Sequence, residues 1–205
     1  MSTDIDPLDA SYFIESSADS FLLDIRPPEE FAAQHIAKSV NIALTPSFSH
    51  WANYFIPKNE PILIVTPNLD QAHLAIYELH SRGFQNVKGF HTWSPKLTAN
   101  NQLSLSSFPL LDIRCENSNY YLLDVRTADE WNAGHVQHAH HLELQNFLIK
   151  MNTIPKHEFV ALICASGNRS SIAASLLLKH GWSKVGNVIG GMQLLNNSKL
   201  PISYM

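Results

Sequence analysis

Short apolar runs alternate with longer amphipathic runs along most of the chain. In the second half, residues 120–125 and 159–163 predict two buried strands, and residues 170–180 predict a helix directly after the second strand. The other elements predicted for this half are a helix over 110–116 with Ser106 or Ser107 as its N-cap, a helix over 128–133, a strand over 139–142, a helix over 145–151 and a strand over 185–189. Alternating strands and helices predict an α/β fold with a small parallel sheet covered by helices on both faces.

The same pattern occurs twice in the chain. The run Phe-Leu-Leu-Asp-Ile-Arg at 21–26 recurs as Tyr-Leu-Leu-Asp-Val-Arg at 121–126, an offset of 100, and the apolar run 61–66 matches 159–164 at an offset of 98. A repeat of this length predicts two domains of one fold, which we place at residues 1–97 and 98–205. Residues 94–107 are rich in Ser, Asn and Pro and are predicted to contain the linker.

Composition and charge exclude several classes of protein. Of the 205 residues, 45% are hydrophobic and 16% are charged, which is typical of a globular protein. The net charge of -4 gives no reason to expect a nucleic-acid partner. The only two cysteines, Cys115 and Cys164, imply no disulfide framework and favour a reducing compartment. We expect no signal peptide, no membrane partner and a cytoplasmic location, because no basic leader and no membrane-length apolar run is present.

A cysteine follows the central apolar run of the second copy, where a strand is predicted to end and a helix to begin. Cys164 is followed by small and polar residues and then by Arg169. A loop at such a junction directs backbone N–H groups inward, and the dipole of the following helix adds positive potential. Both effects favour the thiolate, which is the nucleophilic form of cysteine, and Arg169 adds a fixed positive charge.

The spacing C-x-x-G-x-R-S over 164–170 resembles the active-site loop of the rhodanese sulfurtransferases. Three further motifs carry this resemblance: Leu-Asp-Val-Arg at 123–126, E-W-x-x-G-H-V at 130–136 and the Gly-Gly pair at 190–191. The resemblance implies two rhodanese-like domains, each a small parallel sheet covered by helices. It implies sulfur transfer through a persulfide on Cys164, with Arg169 as a second catalytic residue.

The resemblance also implies which residues hold the substrate or persulfide. They are Ala165, Ser166, Gly167, Asn168, Ser170 and Arg126. The implied donor is thiosulfate or a small persulfide, the implied acceptor is a small thiol or a protein thiol, and no cofactor or metal is required. The run 164–178 is most similar to rhodanese repeats attached to zinc-type metallo-hydrolase domains, some of which handle persulfides, although the H-x-H-x-D-H motif of that hydrolase is absent here.

Two other functions stay open at this point. Phosphatases and arsenate reductases of the same fold have one more residue between the cysteine and the arginine. The shorter loop of this chain suits a sulfane sulfur better than a tetrahedral oxyanion. A sulfur-relay or binding module that acts on a protein partner would form the same persulfide and discharge it efficiently only to that partner.

The first copy lacks the chemistry of the second. Thr66 stands where Cys164 stands, Pro67 removes a backbone donor, Asp70 adds a negative charge and Gln71 replaces the arginine. Each change disfavours a thiolate loop. We therefore predict that the first copy is an inactive rhodanese-like unit.

Several other polar residues have two interpretations. Arg126 and Asp124 end a strand beside the cysteine and are placed to contact substrate, but Arg26 and Asp24 repeat them in the first copy, which favours a role in the fold. Arg169 either contacts substrate or forms an ion pair with Glu130 that holds the loop.

The remaining histidines and the second cysteine are expected to have ordinary roles. His135 repeats as His35 and is predicted to be structural, and His138 and His140 have no nearby cysteine or carboxylate to complete a zinc site. Cys115 has no neighbours that would make it a special nucleophile, so we expect an ordinary thiol there.

Overall fold

In a computed structural model of the protein, the described residues are 5–94, 97, 103–114, 120–195 and 201–204. The chain divides into two compact units, Met1–Ser106 and Ser107–Met205. The sequence pattern placed this division between residues 97 and 98. The difference arises because strand β6 (Leu105–Ser106) pairs in antiparallel fashion with strand β2 (His35–Ile36) of the first unit.

The first unit contains, in addition to β2 and β6, the elements α1 (Ala10–Ser17), β1 (Phe21–Asp24), α2 (Pro28–Ala33), β3 (Val40–Asn41), α3 (Phe48–Phe55), β4 (Ile62–Thr66), α4 (Leu69–Ser81) and β5 (Val87–Thr92). It is built on a four-stranded sheet with the strand order β3-β1-β4-β5, in which all neighbours are parallel. Every residue of β1 and β4 is buried, as expected for inner strands of a parallel sheet flanked by helices.

The second unit contains the elements β7 (Leu110–Leu111), β8 (Tyr121–Asp124), α5 (Ala128–Asn132), β9 (His135–Val136), β10 (His140–His141), α6 (Phe147–Lys150), β11 (Val160–Ile163), α7 (Asn168–Lys179), β12 (Val185–Val188), α8 (Gly191–Leu195) and β13 (Ile202–Ser203). Its main sheet repeats the plan of the first with one more strand, in the order β10-β8-β11-β12-β7, and all neighbours are again parallel. Strand β13 pairs in antiparallel fashion with β9. The predicted α/β class with parallel, helix-flanked sheets is confirmed.

The helix predicted over 110–116 is wrong. Leu110–Leu111 forms strand β7 and a turn follows at 113–114, while residues 115 and 116 lie outside the described part of the chain. Strand β12 decides this outcome, since the Asn187 N–H donates to Pro109 O (3.1 Å) and the Ile189 N–H donates to Leu111 O (2.9 Å). Ser106 belongs to β6 and caps no helix.

The other predicted elements of the second unit are confirmed within one or two residues, with one change. The helix predicted over 145–151 is divided into a 3-10 turn at Leu144–Asn146, the short α6, and a second 3-10 turn at Met151–Thr153. Among the described residues, no helix is long and apolar enough to cross a membrane.

Candidate active site

Cys164 lies at the carboxyl end of β11, the middle strand of the second sheet, and only 1% of its surface is exposed. Two donors point at its sulfur. The Gly167 N–H donates to Sγ at 3.1 Å, and the Ser170 hydroxyl donates to Sγ at 3.2 Å. Donors of this kind stabilise negative charge that develops at the position of the sulfur atom.

Gly167 gives the loop its sharp turn. It has φ of 101°, in the left-handed region that favours glycine, and it directly precedes α7 as its N-cap. Among the described residues, no side chain caps this helix, so its first N–H groups are available to the loop. The positive end of the twelve-residue helix α7 therefore faces the sulfur of Cys164.

The carbonyl groups of the loop are held by donors from outside it. The Met192 N–H donates to Cys164 O (2.8 Å), and the Gln193 N–H donates to Ala165 O (2.9 Å). Gly191 makes this approach possible, because a Cβ atom at that position would lie 2.3 Å from Cys164 O. Helix α8 can therefore approach the loop this closely only because residue 191 is glycine.

A third loop carbonyl is held by a side chain that sequence reasoning missed. Asn187 on β12 is 1% exposed, and its Nδ2 donates to Gly167 O at 3.0 Å. A buried asparagine in an apolar strand was a signal available in the sequence, but its partner in the loop became visible only in the folded chain.

Arg169 forms a two-point ion pair with Glu130, with Nη1 2.6 Å from Oε2 and Nη2 2.7 Å from Oε1. Glu130 is also held by the N-terminus of α5, where Thr127 and Glu130 form a capping box. The hydrogen bond from Arg169 is the main reason that the pKa of Glu130 falls to about 2. The same bond raises the pKa of Arg169, as does attraction to a negative charge on Cys164.

The ion pair between Arg169 and Glu130 was one of two interpretations of the sequence, and the structure shows it. It fixes Arg169 close to the loop. A catalytic role for this arginine stays a prediction.

Arg126 is also held mainly by the fold. Its Nε donates to both oxygens of Asp124 (3.0 and 2.9 Å), and its Nη2 donates to Gly134 O (2.8 Å). Arg26 makes the corresponding contacts with Asp24 and Gln34 O in the first unit. A substrate contact by Arg126 stays a prediction, but its position beside a cleft is consistent with one.

This cleft lies next to the cysteine loop and has a volume of about 360 Å³. Charged, polar and apolar groups line it: Arg126, Glu130, Ala133, Gly134, Ala165, Met192, Gln193, Ile202 and Tyr204. The contribution of strand β13 and Tyr204 could not be seen in the sequence, because these residues belong to none of the motifs and β13 reaches the cleft through its pairing with β9.

The other predicted loop residues lie where the spacing placed them. Ala165 and Ser166 follow Cys164, and the Asn168 side chain donates to Ser166 Oγ at 3.3 Å. Cys115 lies outside the described residues.

The histidines have structural contacts. His135 Nδ1 donates to Trp131 O (3.0 Å) and its ring stacks on Trp131, as His35 does on Phe31 in the first unit. Burial lowers the pKa of His35 to about 4. His140 stacks on Tyr121. Within the described ranges, no three His, Cys, Asp or Glu residues lie close enough together to hold a metal ion.

Comparison with known proteins assigns the family. The rhodanese-like domain model matches residues 9–93 and again 109–198, so the chain belongs to the rhodanese-like family and contains two of its domains. It is 33% identical over 87 residues to a protein of Allochromatium vinosum named sulfurtransferase, in a match that covers 42% of this chain and 81% of that protein. It is 31% identical over 112 residues to the Bacillus subtilis protein YrkF, named as a sulfur carrier, covering 55% of this chain and 59% of that protein.

A solved structure is similar to part of the chain. It is the crystal structure of a rhodanese-related protein from Thermoplasma volcanium, which is 28% identical in sequence. The match covers 42% of this chain and 85% of that protein, with a TM-score of 0.40.

Proposed function

We propose that this protein is a sulfurtransferase that carries a sulfane sulfur on Cys164 as a persulfide. The observation that carries the proposal is the pair of donors, Gly167 N–H and Ser170 hydroxyl, directed at the buried sulfur of Cys164. Membership of the rhodanese-like family and the name of the Allochromatium vinosum relative, sulfurtransferase, support the same reaction class.

The reaction has two steps. The Cys164 thiolate attacks the outer sulfur of the donor, a new S–S bond forms on Cys164, and the old bond of the donor breaks so that sulfite or a thiolate leaves with the electron pair. An acceptor thiolate then attacks the outer sulfur of the persulfide. The S–S bond on Cys164 breaks, the Cys164 thiolate is restored, and the acceptor leaves as a persulfide. Neither step needs a metal or a cofactor.

Each loop residue has a proposed role in these steps. The backbone donors from Ala165 to Ser170 stabilise negative charge on the inner and outer sulfur atoms, as donors in an oxyanion hole do. Arg169, held by Glu130, supplies a fixed positive potential at the loop. Arg126 borders the cleft beside Ala165, so we place the donor or acceptor there.

The substrates follow from the chemistry of the cysteine. We propose thiosulfate or a small persulfide as donor and a small thiol or a protein thiol as acceptor. The similarity of the run 164–178 to rhodanese repeats attached to metallo-hydrolase domains stays a prediction. The first unit, which carries Thr66 at the position of the cysteine, is proposed to be inactive.

The mass of the intact protein tests the proposal. After incubation with thiosulfate, or separately with glutathione persulfide, and removal of the donor, the native protein should gain the mass of one sulfur atom. Cys164→Ser should gain none. Addition of a small thiol should then return the native protein to its original mass. A loaded protein that small thiols fail to discharge would favour relay to a protein partner, and a native protein that gains no sulfur from either donor would contradict the proposal.

A further inference from the structure

Asn187 holds the loop from the neighbouring strand β12 and belongs to none of the motifs from which the site was predicted. Its Nδ2 lies 3.0 Å from Gly167 O, and since a carbonyl oxygen can only accept, the amide nitrogen must face it. Gly167 O also accepts the Ser171 N–H at 3.1 Å. With two donors on one carbonyl, the peptide between Gly167 and Asn168 is fixed against rotation.

The backbone of Gly167 is the part of the loop that most needs an external restraint. Glycine adopts positive and negative φ about equally well, so the backbone of Gly167 does not by itself keep φ at 101°. The N–H of the same residue donates to Cys164 Sγ at 3.1 Å. The two hydrogen bonds on Gly167 O fix the ψ angle of Gly167 and with it the position of its Cα. Without the bond from Asn187, this flexible residue could shift, and its N–H would move away from the sulfur.

The orientation in which Asn187 holds Gly167 is unfavourable for the side-chain oxygen of Asn187. Asn187 Oδ1 is buried and has no hydrogen-bond partner among the described residues. An unpaired buried acceptor is unfavourable, and an apolar side chain of the same size would avoid it. The amide is therefore poorly explained by the stability of the strand alone.

The first unit shows that the strand position itself does not need an amide. Phe90 pairs with Ile64 in β5 and β4, as Asn187 pairs with Leu162 in β12 and β11, so Phe90 occupies the corresponding position of the first sheet. Phe90 is fully buried. The unit without the cysteine has an apolar residue where the unit with the cysteine has Asn187.

We infer that Asn187 is a positioning residue for sulfur chemistry at Cys164. It holds the Gly167–Asn168 peptide so that the Gly167 N–H stays directed at the sulfur, and it does so without contacting the sulfur itself. The inference deepens the proposed function, and rests on it only for the rate of sulfur transfer.

The test uses Asn187→Leu, which keeps the size of the side chain and removes its donor, and Asn187→Ala, which removes the donor without adding branched bulk. Asn41→Leu is the matched control, because Asn41 is a buried amide of the first unit whose Nδ2 donates to Asp24 O and Arg26 O. The first measurement is the ultraviolet absorbance of the Cys164 thiolate at neutral pH, taken as the difference from Cys164→Ser. The second is the rate of sulfur transfer from thiosulfate to cyanide.

Both Asn187 variants should lose thiolate absorbance and should transfer sulfur about 10- to 100-fold more slowly, while Asn41→Leu keeps both near the native level. Thermal unfolding shows whether each variant has folded. If Asn187→Leu has not folded, Asn187→Ala decides the result. Native absorbance and transfer in a folded Asn187 variant would overturn the inference. The absorbance needs no sulfur donor, so it tests the role of Asn187 even if the native protein transfers no sulfur.

Discussion

The two units end their middle strands in different ways, although both pass from a buried strand into a long helix. In the first unit, the Thr66 hydroxyl donates to Asn68 O at 2.8 Å, and Asn68 Oδ1 caps α4 by accepting the Gln71 N–H at 2.9 Å. In the second unit no described side chain caps α7, and the Gly167 N–H donates to Cys164 Sγ instead. A side-chain cap uses the donors of a helix N-terminus, and without one they can serve an anion.

The residue that begins α4 explains why the first loop cannot simply copy the second. At the offset of 98, Leu69 stands where Gly167 stands. Leu69 is the first residue of α4, whereas Gly167 has left-handed backbone geometry that a leucine strongly disfavours. One fold thus supports a closed helix cap or an anion-binding loop, and a few residues determine which one forms.

The surroundings of Arg26 in the first unit and of Arg126 in the second differ as well. In the first unit the Trp93 ring lies over the Arg26 guanidinium, 3.8 Å from the ring centroid, and Arg26 is only 1% exposed. Counting from the paired positions Phe90 and Asn187, Trp93 corresponds to Gly190. The second unit has no tryptophan at this position, and there Arg126 borders the cleft.

The largest effect is expected from the nucleophile itself. Cys164→Ser should abolish sulfur transfer from thiosulfate to cyanide, because a hydroxyl is a far weaker nucleophile than a thiolate and cannot form a persulfide. Cys115→Ser, which changes the other cysteine, should keep most of the activity. Appreciable transfer by the Cys164 variant would show that another residue carries the sulfur.

The close approach of α8 to the loop should be nearly as sensitive. Gly191→Ala places a Cβ 2.3 Å from Cys164 O and 2.7 Å from the Ala165 carbonyl, so the loop must move, and transfer should fall on the order of a hundredfold. Gly181→Ala is the control: its φ of 93° is also positive and is at least as unfavourable for alanine as the φ of 55° at Gly191, but a Cβ at residue 181 meets nothing within 4 Å. The control should lose roughly 1 kcal/mol of stability and keep its activity. Equal losses of activity in the two variants would attribute the effect to backbone strain alone.

A smaller effect is expected at Glu130. Glu130→Gln weakens the pair with Arg169 but leaves the backbone donors in place, so transfer should fall about tenfold. The matched change in the first unit is Glu30→Gln, where Gln71 replaces the arginine and no such pair is lost. It should leave transfer unchanged.

The comparison of native protein with Glu130→Gln also gives a pH test. The pKa of Glu130 lies at about 2 in the folded protein, below its ordinary value of 4.5, so its carboxylate stabilises the fold above pH 4.5 and loses this contribution as the pH falls towards 2. Unfolding by urea should therefore show a stability difference between native protein and Glu130→Gln that shrinks from pH 5 to pH 2. A difference that stays constant over this range would contradict the assigned ion pair.

The smallest effect is expected from adding a cysteine to the first unit. Thr66→Cys in a Cys164→Ser background should give no measurable sulfur transfer, because Asn68 still caps α4 and Leu69 cannot direct its N–H at the new sulfur. The measurement is cyanide-trapped transfer from thiosulfate. Turnover near the native level would mean that the first loop already binds an anion and that its inactivity comes only from the missing thiol.

Much of the active loop could be predicted from the sequence because its determinants are local. A buried strand, a single cysteine, a glycine with the right spacing and a helix follow one another within residues 159–180, and backbone preferences over so short a stretch largely set the course of the chain. The repeat then supplied the domain plan, since two copies of one pattern imply two copies of one fold.

What only the tertiary structure decided involves residues that are distant in the chain. The residues at 110–111 belong to the run 110–116 that was predicted as a helix, but hydrogen bonds with β12 make them a strand. Asn187 and Gly191 reach the loop only because β12 lies beside β11, and Ile202 reaches the cleft only because β13 pairs with β9. Local spacing placed a reactive cysteine in a turn, whereas the groups that hold that turn in shape come from neighbouring strands and helices, whose positions depend on the packing of the whole unit.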